Sequence, residues 1–394
     1  MGIKRFVKRH LKRMIKDFTL GFLYPRRYER YASAPTEPGL VVFFETKERE
    51  MPGSFDLLYE RLSADPAKTV DYITLEQNHV SLIQYYRNGL NCLKRLAEAE
   101  VIFLDDACDL VSCLPLRKET KAVQLWHACG AFKKWGISTA DLKFGGTLEE
   151  TRRHPFYKNL SLVTISSPEV AWAYIEAMDL KGQEDIVQAL GVSRTDIFFD
   201  PQFLSVARTR VDAAFPPAAG KKVLLYAPTF RGHVSEAEGP NELDIPALKE
   251  ALGNEWVLLV KHHPFVKHPA PVPQGCEDFA YLVQGDIAID DLLCTADACI
   301  SDYSSIVFEY SLFGRPMIFF AYDLDDYDDW RGFYYSYDEF TPGPVLSTSE
   351  EVLDYLVHLD ERFDPTVVAK FREKFMCSCD GHATGRIMKA VFGE

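Results

Sequence analysis

The stretch Ala298–Tyr322, ACISDYSSIVFEYSLFGRPMIFFAY, decides how this chain is read. A short apolar strand, Ala298 to Ile300, runs into a polar turn, Ser301-Asp302-Tyr303-Ser304-Ser305. Ile306, Val307, Tyr310 and Leu312 then recur at helical spacing, Gly314 and Pro316 stop the helix, and Met317 to Ala321 reads as the next strand. A serine turn at a helix N-terminus leaves backbone N–H groups and hydroxyls for an anion. Glu309 lies one helical turn beyond Ser305, where a carboxylate can sit beside whatever that N-terminus holds and suits vicinal hydroxyls such as a ribose. Taken alone, the stretch reads equally well as a capped helix in any α/β domain.

The same alternation extends in both directions. Leu40–Glu45, Val70–Leu75, Val101–Leu104, Ala122–Trp126 and Leu162–Ile165 are short apolar runs separated by helical stretches, among them Phe55–Leu62 and Ser81–Ala99. After a Pro/Ala/Gly linker at 216–220 the scheme resumes with Val223–Tyr226 and Trp256–Lys261. Buried strands alternating with helices predict parallel βαβ units, with ligands at the carboxyl ends of the strands. The expected architecture is α/β, two Rossmann-like domains facing one interdomain cleft, with boundaries at 36–215 and 216–394. No sequence repeat relates the halves.

At 394 residues the chain exceeds one ordinary core, and 47% hydrophobic with 26% charged residues describes a globular protein. A net charge of −14 excludes general nucleic-acid binding by the whole surface. Nine cysteines without CxxC pairs or zinc-like spacing read as reduced thiols, and no metal-ligand constellation is visible.

Residues 1–31 depart from the acidic remainder. Ile3, Phe6, Val7, Leu11, Met14, Ile15 and Phe18 recur at helical spacing, and Lys4, Arg5, Lys8, Arg9, Lys12, Arg13 and Lys16 fill the opposite face. The segment lacks the run of ~20 apolar residues that spans a bilayer, and it lacks a signal-peptide pattern. A basic amphipathic helix with an aromatic, Arg-rich flank (Phe22, Tyr24, Arg26, Arg27) is expected to lie on an anionic membrane surface, peripheral on the cytoplasmic face; the alternatives are an ordinary helix docked on its own protein or a disordered basic arm. Its position before the first βαβ unit predicts that removing Met1–Arg30 leaves a folded protein.

Four strand ends carry unusual chemistry. Trp126-His127-Ala128-Cys129-Gly130, followed by Lys133-Lys134, places an imidazole beyond a buried strand. Pro228-Thr229-Phe230-Arg231 offers a hydroxyl and a guanidinium, and Lys261-His262-His263-Pro264 two imidazoles and an ammonium. With the serine turn, these cations and dipoles suit a pyrophosphate.

WHACGAFKKWG, LGVSRTDIFF, LYAPTFR, KHHPF, SDYSSIVFEYSLFGRPMIFF and RGFYYSYDEFTPGP occur in one order. Together they resemble the CDP-glycerol glycerophosphotransferase family of teichoic acid and capsule polymer synthesis, from about Gly39 to about Leu356. The resemblance implies a GT-B fold, a CDP-polyol donor and a lipid-linked saccharide or polymer acceptor. The family's first motif usually reads WHG followed by Thr-Pro, and Ala128, Cys129 and Gly130 stand in those places here. His127 would be the general base for the acceptor hydroxyl, which attacks the β-phosphorus of the donor and releases CMP. His263 falls on the family's second functional histidine. Trp126, Ala128, Cys129, Gly130, Arg194, Thr229, Arg231, Lys261, His262, Ser304, Ser305, Glu309 and Arg331 are the implied donor-binding residues, with Glu309 on the ribose. No cofactor is required by this scheme, although the acidic run Asp323–Asp329 could hold a divalent cation. Glycerol phosphate is the expected group; ribitol phosphate, or a nucleotide sugar on the same fold, are the alternatives. A non-catalytic scaffold of a polymer-assembly complex would not need both histidines.

Overall fold

Each half of the chain builds its own parallel sheet. The computed structural model describes residues 2–142, 146–232, 237–285, 287–326 and 332–393, with side chains from residue 10 onward except 338–339. Arg331 and Asp328–Asp329 lie outside the described residues.

In the first sheet the strands are β1 Leu40–Glu45, β2 Thr69–Thr74, β3 Val101–Leu104, β4 Lys121–Gln124, β5 Leu162–Thr164 and β6 Val187–Gln188. They lie in the order β2-β1-β3-β4-β5-β6, every neighbouring pair parallel. The second sheet contains β7 Lys222–Tyr226, β8 Trp256–Val260, β9 Ala280–Leu282, β10 Ala298–Ser301, β11 Met317–Phe320 and β12 Val345–Leu346. Its order, β12-β11-β10-β7-β8-β9, is again all parallel. Strand order reverses at β1/β3 in one sheet and at β7/β10 in the other. Helices that cross to opposite faces diverge there, and the strand ends are left open to a ligand. The apolar runs are buried because parallel strands are covered on both faces; β1, β3, β8, β10 and β11 are buried throughout.

The chain divides into compact units at points other than 215/216. One unit comprises Met1–His127, Trp135–Arg194 and His382–Glu394; the other comprises Ala128–Lys134 and Thr195–Gly381. The reason is packing. The helix Pro201–Ala214 joins the second unit, where Arg210 pairs with Asp291 on the helix Ile289–Thr295 at 3.2 Å. The last helix, Ala383–Phe392, returns to the first unit and puts Ile387, Met388 and Val391 into its core with Val41, Phe43 and Phe103. Hydrogen bonds from Arg386 Nε to the Leu190 carbonyl and between the Ser193 and Thr384 hydroxyls hold it there.

The N-terminal segment is helical as expected, but it is not a single free arm. Helix Gly2–Phe18, a π-helical turn Thr19–Leu23 and helix Tyr24–Tyr31 follow without a break. Tyr24 and Tyr28 are fully buried against helix Leu82–Glu98 of the same unit, and the Tyr24 hydroxyl donates to the Tyr86 carbonyl at 2.9 Å. Gly89 makes the approach possible, since a Cβ there would stand 2.2 Å from the Tyr24 oxygen. Asp17 is held by Arg153 and His154, both at 2.6 Å. The expectation that Met1–Arg30 can be removed harmlessly is therefore corrected: a cut at Arg30 would take Tyr24 and Tyr28 out of the core and leave a large cavity. Before Thr19 the picture differs, with Leu11, Met14 and Phe18 all more than half exposed.

Candidate active site

On the first unit the site begins where β4 ends. The strand stops at Gln124, short of the expected Trp126, because Trp126 takes a left-handed backbone with φ 61°. Such a conformation costs a bulky residue on the order of 1–3 kcal/mol and needs surrounding structure to hold it. The indole is stacked on Trp135 at 4.3 Å and meets Tyr157 and Tyr174 edge-on, while the Trp126 backbone N–H donates to Gln124 Oε1 at 3.3 Å. This turn delivers His127 to the surface. His127 Nδ1 lies 3.0 Å from the Asp105 backbone carbonyl, which can only accept. In the neutral ring the proton is therefore on Nδ1, and Nε2 presents a lone pair.

On the second unit His263 has the opposite arrangement. Its Nδ1 accepts the Phe265 backbone N–H at 3.2 Å, so in the neutral ring Nε2 carries the proton. The exposed imidazole sits against Phe230 and Phe265, with centroids at 5.0 and 4.5 Å. Beside it, burial pushes the Lys261 ammonium below its ordinary pKa, and Nζ donates to the Ile287 carbonyl at 3.1 Å. Burial likewise lowers His262, whose buried Nδ1 has no hydrogen-bond partner among the described residues.

The β7/β10 switch point is organised differently from the reading of strand ends that offer cations and dipolar donors to a pyrophosphate. Asp302 is buried, and its Oδ1 accepts the Thr229 amide at 2.8 Å, the Thr229 hydroxyl at 2.6 Å and the Tyr303 amide at 2.6 Å. Arg231 donates to Asp302 Oδ2 at 2.9 Å, to the Thr229 carbonyl at 2.7 Å, and through Nε and Nη2 to both oxygens of Asp323 at 2.5 and 2.8 Å. Burial opposes the guanidinium charge, but the Asp323 hydrogen bonds and the Asp302 charge outweigh it, and the pKa is raised. Thr229 and Arg231, expected to offer donors to a phosphate, instead direct most of their donors inside the protein. Two carboxylates around one guanidinium leave this corner net negative. Asp323, first of the acidic run, is consumed by the same ion pair. Among the described residues no group of three or more His, Cys, Asp or Glu could hold a metal ion.

The serine turn survives in a smaller form. Helix Ile306–Ser311 has only six residues, too short for a large macrodipole. Half-buried Ser304 and Ser305 precede it, with Ser304 Oγ accepting the Ile306 amide at 3.4 Å. Glu309, in the helix's first turn, is almost wholly buried. Gly130 has φ 64°, and a Cβ there would meet the Phe308 ring at 2.1 Å, so glycine is what lets the backbone at 130 lie against this helix within the second unit. Cys129 is buried and Ala128 half-buried beside it. Arg194 opens the 3-10 helix Ser193–Phe199 and is half-buried. Asp105, Asp302 and Asp323 were not singled out as organising residues. The signal for them is their position, Asp105 and Asp302 straight after β3 and β10 and Asp323 three residues beyond the end of β11, which means little until the order of the strands is known.

The family described as CDP-Glycerol:Poly(glycerophosphate) glycerophosphotransferase matches residues 27–393. A teichoic acid poly(ribitol-phosphate) polymerase of Bacillus spizizenii is 33% identical over 371 residues, which is 94% of this chain and 58% of the relative. A teichoic acid ribitol-phosphate primase of the same organism is 32% identical over 360 residues, 90% of this chain and 91% of the relative. The chain therefore spans little more than half of the first relative and most of the second. Among solved structures, the wall teichoic acid polymerase TagF is similar with a TM-score of 0.73 at 22% identity, covering 98% of this chain and 97% of that one. With two parallel α/β sheets, that likeness makes the fold GT-B.

Proposed function

Since the chain belongs to the CDP-glycerol:poly(glycerophosphate) glycerophosphotransferase family, we propose that it moves a polyol phosphate from a CDP-polyol to a hydroxyl of a lipid-linked acceptor. The product class is teichoic acid or a similar cell-wall or capsule polymer, and CMP is released. The observation that carries this reading is the opposite tautomers of the two histidines. His127 Nε2 would take the acceptor hydroxyl proton as that oxygen bonds to the β-phosphorus. The bond from the β-phosphorus to the bridging oxygen breaks, and its electrons leave with CMP. His263 would donate from Nε2–H to a phosphate oxygen, with Lys261 as the nearby cation. Ser304 and Ser305 would offer hydroxyls to the pyrophosphate, and Glu309 would accept from the ribose. The test is CMP release from a panel of CDP-glycerol, CDP-ribitol and a nucleotide sugar, with a soluble acceptor analogue. Release from a CDP-polyol supports the reading; turnover of the sugar donor alone overturns it. The family's description names glycerophosphate, whereas both relatives above are named for ribitol phosphate, so the same panel assigns the polyol.

The acceptor's lipid calls for a membrane surface, and the segment before Thr19 is the proposed contact. Its support is the basic, apolar-periodic sequence and the exposure of Leu11, Met14 and Phe18. No helix among the described residues is long and apolar enough to cross a membrane. Deleting residues 2–15, which spares Asp17, Tyr24 and Tyr28, is expected to leave a folded protein with unchanged turnover of a soluble acceptor. Each basic residue near an anionic surface contributes about 1 kcal/mol, so co-sedimentation with phosphatidylglycerol vesicles should fall more than tenfold. Binding of the full chain should also weaken as salt rises. Equal binding by both proteins would place the contact elsewhere.

A further inference from the structure

Beneath His127 lies a group that the reaction scheme does not use. Glu45 ends β1 and Asp105 follows β3, and these neighbouring parallel strands are in register at Phe44 and Leu104. The next residues along, Glu45 and Asp105, therefore stand side by side at the switch point of the first sheet. Both are buried, at 4% and 5% exposure. Two adjacent carboxylates would repel strongly in such a site unless a cation or a proton intervened.

The surroundings of the pair identify which. Lys47 is paired with Asp106. Glu45 Oε1 accepts the Lys47 and Glu48 amides at 2.5 and 3.2 Å, and Asp105 Oδ2 accepts the Ser54 hydroxyl at 3.2 Å. Tyr72, on β2, spends its hydroxyl on the Glu50 carbonyl at 2.8 Å. The His127 ring donates to the Asp105 main chain rather than to its side chain. Asp105 Oδ1 is buried and accepts no hydrogen bond from an amide or hydroxyl among the described residues. Among the described residues, the Glu45 carboxyl is the neighbour placed to hydrogen-bond to it. We infer that Glu45 and Asp105 form a carboxyl–carboxylate hydrogen bond, and that this bond fixes the Asp105 peptide whose carbonyl orients His127. Burial, then the Glu45 hydrogen bond and the Glu45 and Asp106 charges, push the Asp105 carboxyl up to about 9, so the shared proton is present at neutral pH. The pair is a positioning device. It touches no substrate and acts through the imidazole, so its catalytic part rests on His127 being the base.

The sign of the pH effect follows from proton binding. Between the ordinary aspartate pKa, about 4, and about 9, the folded chain holds a proton that the unfolded chain has lost. Stability from this pair is complete below that window and declines through it as pH rises, by about tenfold in the folding equilibrium constant per pH unit. Asp105→Asn keeps a donor toward Glu45 and removes the titration. Measured between pH 5 and 8, the ratio of the variant's folding constant to the wild-type constant should rise about tenfold per pH unit. An infrared band of a protonated carboxyl at neutral pH should vanish in the same variant. Asp105→Asn should retain kcat within about threefold, whereas Asp105→Leu, with no donor, should lose on the order of tenfold in kcat with an unchanged KM for the donor. A flat ratio together with an absent band overturns the hydrogen bond, whatever His127 does. Full turnover in the folded Leu variant overturns the positioning role. Should the Leu variant not fold, a kcat loss of tenfold or more in Asp105→Asn would overturn that role instead. Wild-type turnover in His127→Ala overturns the base reading and leaves the proton measurements standing.

Discussion

His127→Ala is expected to lower turnover by several hundredfold or more, within the 10²–10⁴ range that loss of a positioned general base costs. The imidazole is held by one bond, from Nδ1 to the Asp105 carbonyl, and its other nitrogen is left as an acceptor. Its removal should cost little stability, because the ring is exposed and fills no cavity. Donor affinity should also change little, since a base acts on the acceptor proton in the transition state and not on the nucleotide. Single-turnover CMP release, beside equilibrium binding of the CDP-polyol, separates the two quantities. If turnover stays within tenfold of wild type, the hydroxyl is activated elsewhere. A loss seen only in donor affinity would make His127 a donor ligand.

Arg231→Met is expected to destabilise the protein by about 3–5 kcal/mol, the loss typical of breaking a buried ion pair at one partner. The guanidinium serves two carboxylates, with side-chain exposures of 20% for Arg231, 3% for Asp302 and 22% for Asp323. Tyr303 adds a hydrogen bond from its hydroxyl to Asp323 at 2.9 Å. Methionine fills a similar volume and leaves both acids unneutralised. Lysine restores the charge but not the two-pronged contact, and should recover only part of the loss. Urea unfolding with a probe in the second unit reads the effect. A shift below about 1 kcal/mol, combined with a large rise in KM for the donor, would return Arg231 to the phosphate role read from its motif.

Local pattern determined a good deal of this protein. The strands at Leu40–Glu45, Val101–Leu104 and Trp256–Val260 are legible because buried parallel strands are continuous apolar runs, a property of the residues themselves. The short edge strands β6, β9 and β12 have two or three residues each and carry no such run. Helix Ala383–Phe392 can be read as a helix, yet nothing local says that it packs on the first unit's core. The six motifs, in order, carried the family.

The state of each side chain at those motifs was decided by tertiary structure. Thr229 and Arg231 are good phosphate donors when taken singly. They lose that capacity because β7 and β10 are neighbours, bringing Asp302 to Thr229 across 73 positions of sequence. Tyr24 reads as part of an interfacial flank until helix Leu82–Glu98 supplies a groove at Gly89. The histidines are recognisable in the sequence, but which nitrogen holds the proton depends on one backbone carbonyl after β3 and one amide two residues on. Periodicity and charge are written along the chain. Hydrogen-bond satisfaction is settled among whichever donors and acceptors the strand order brings together, and that order is not local.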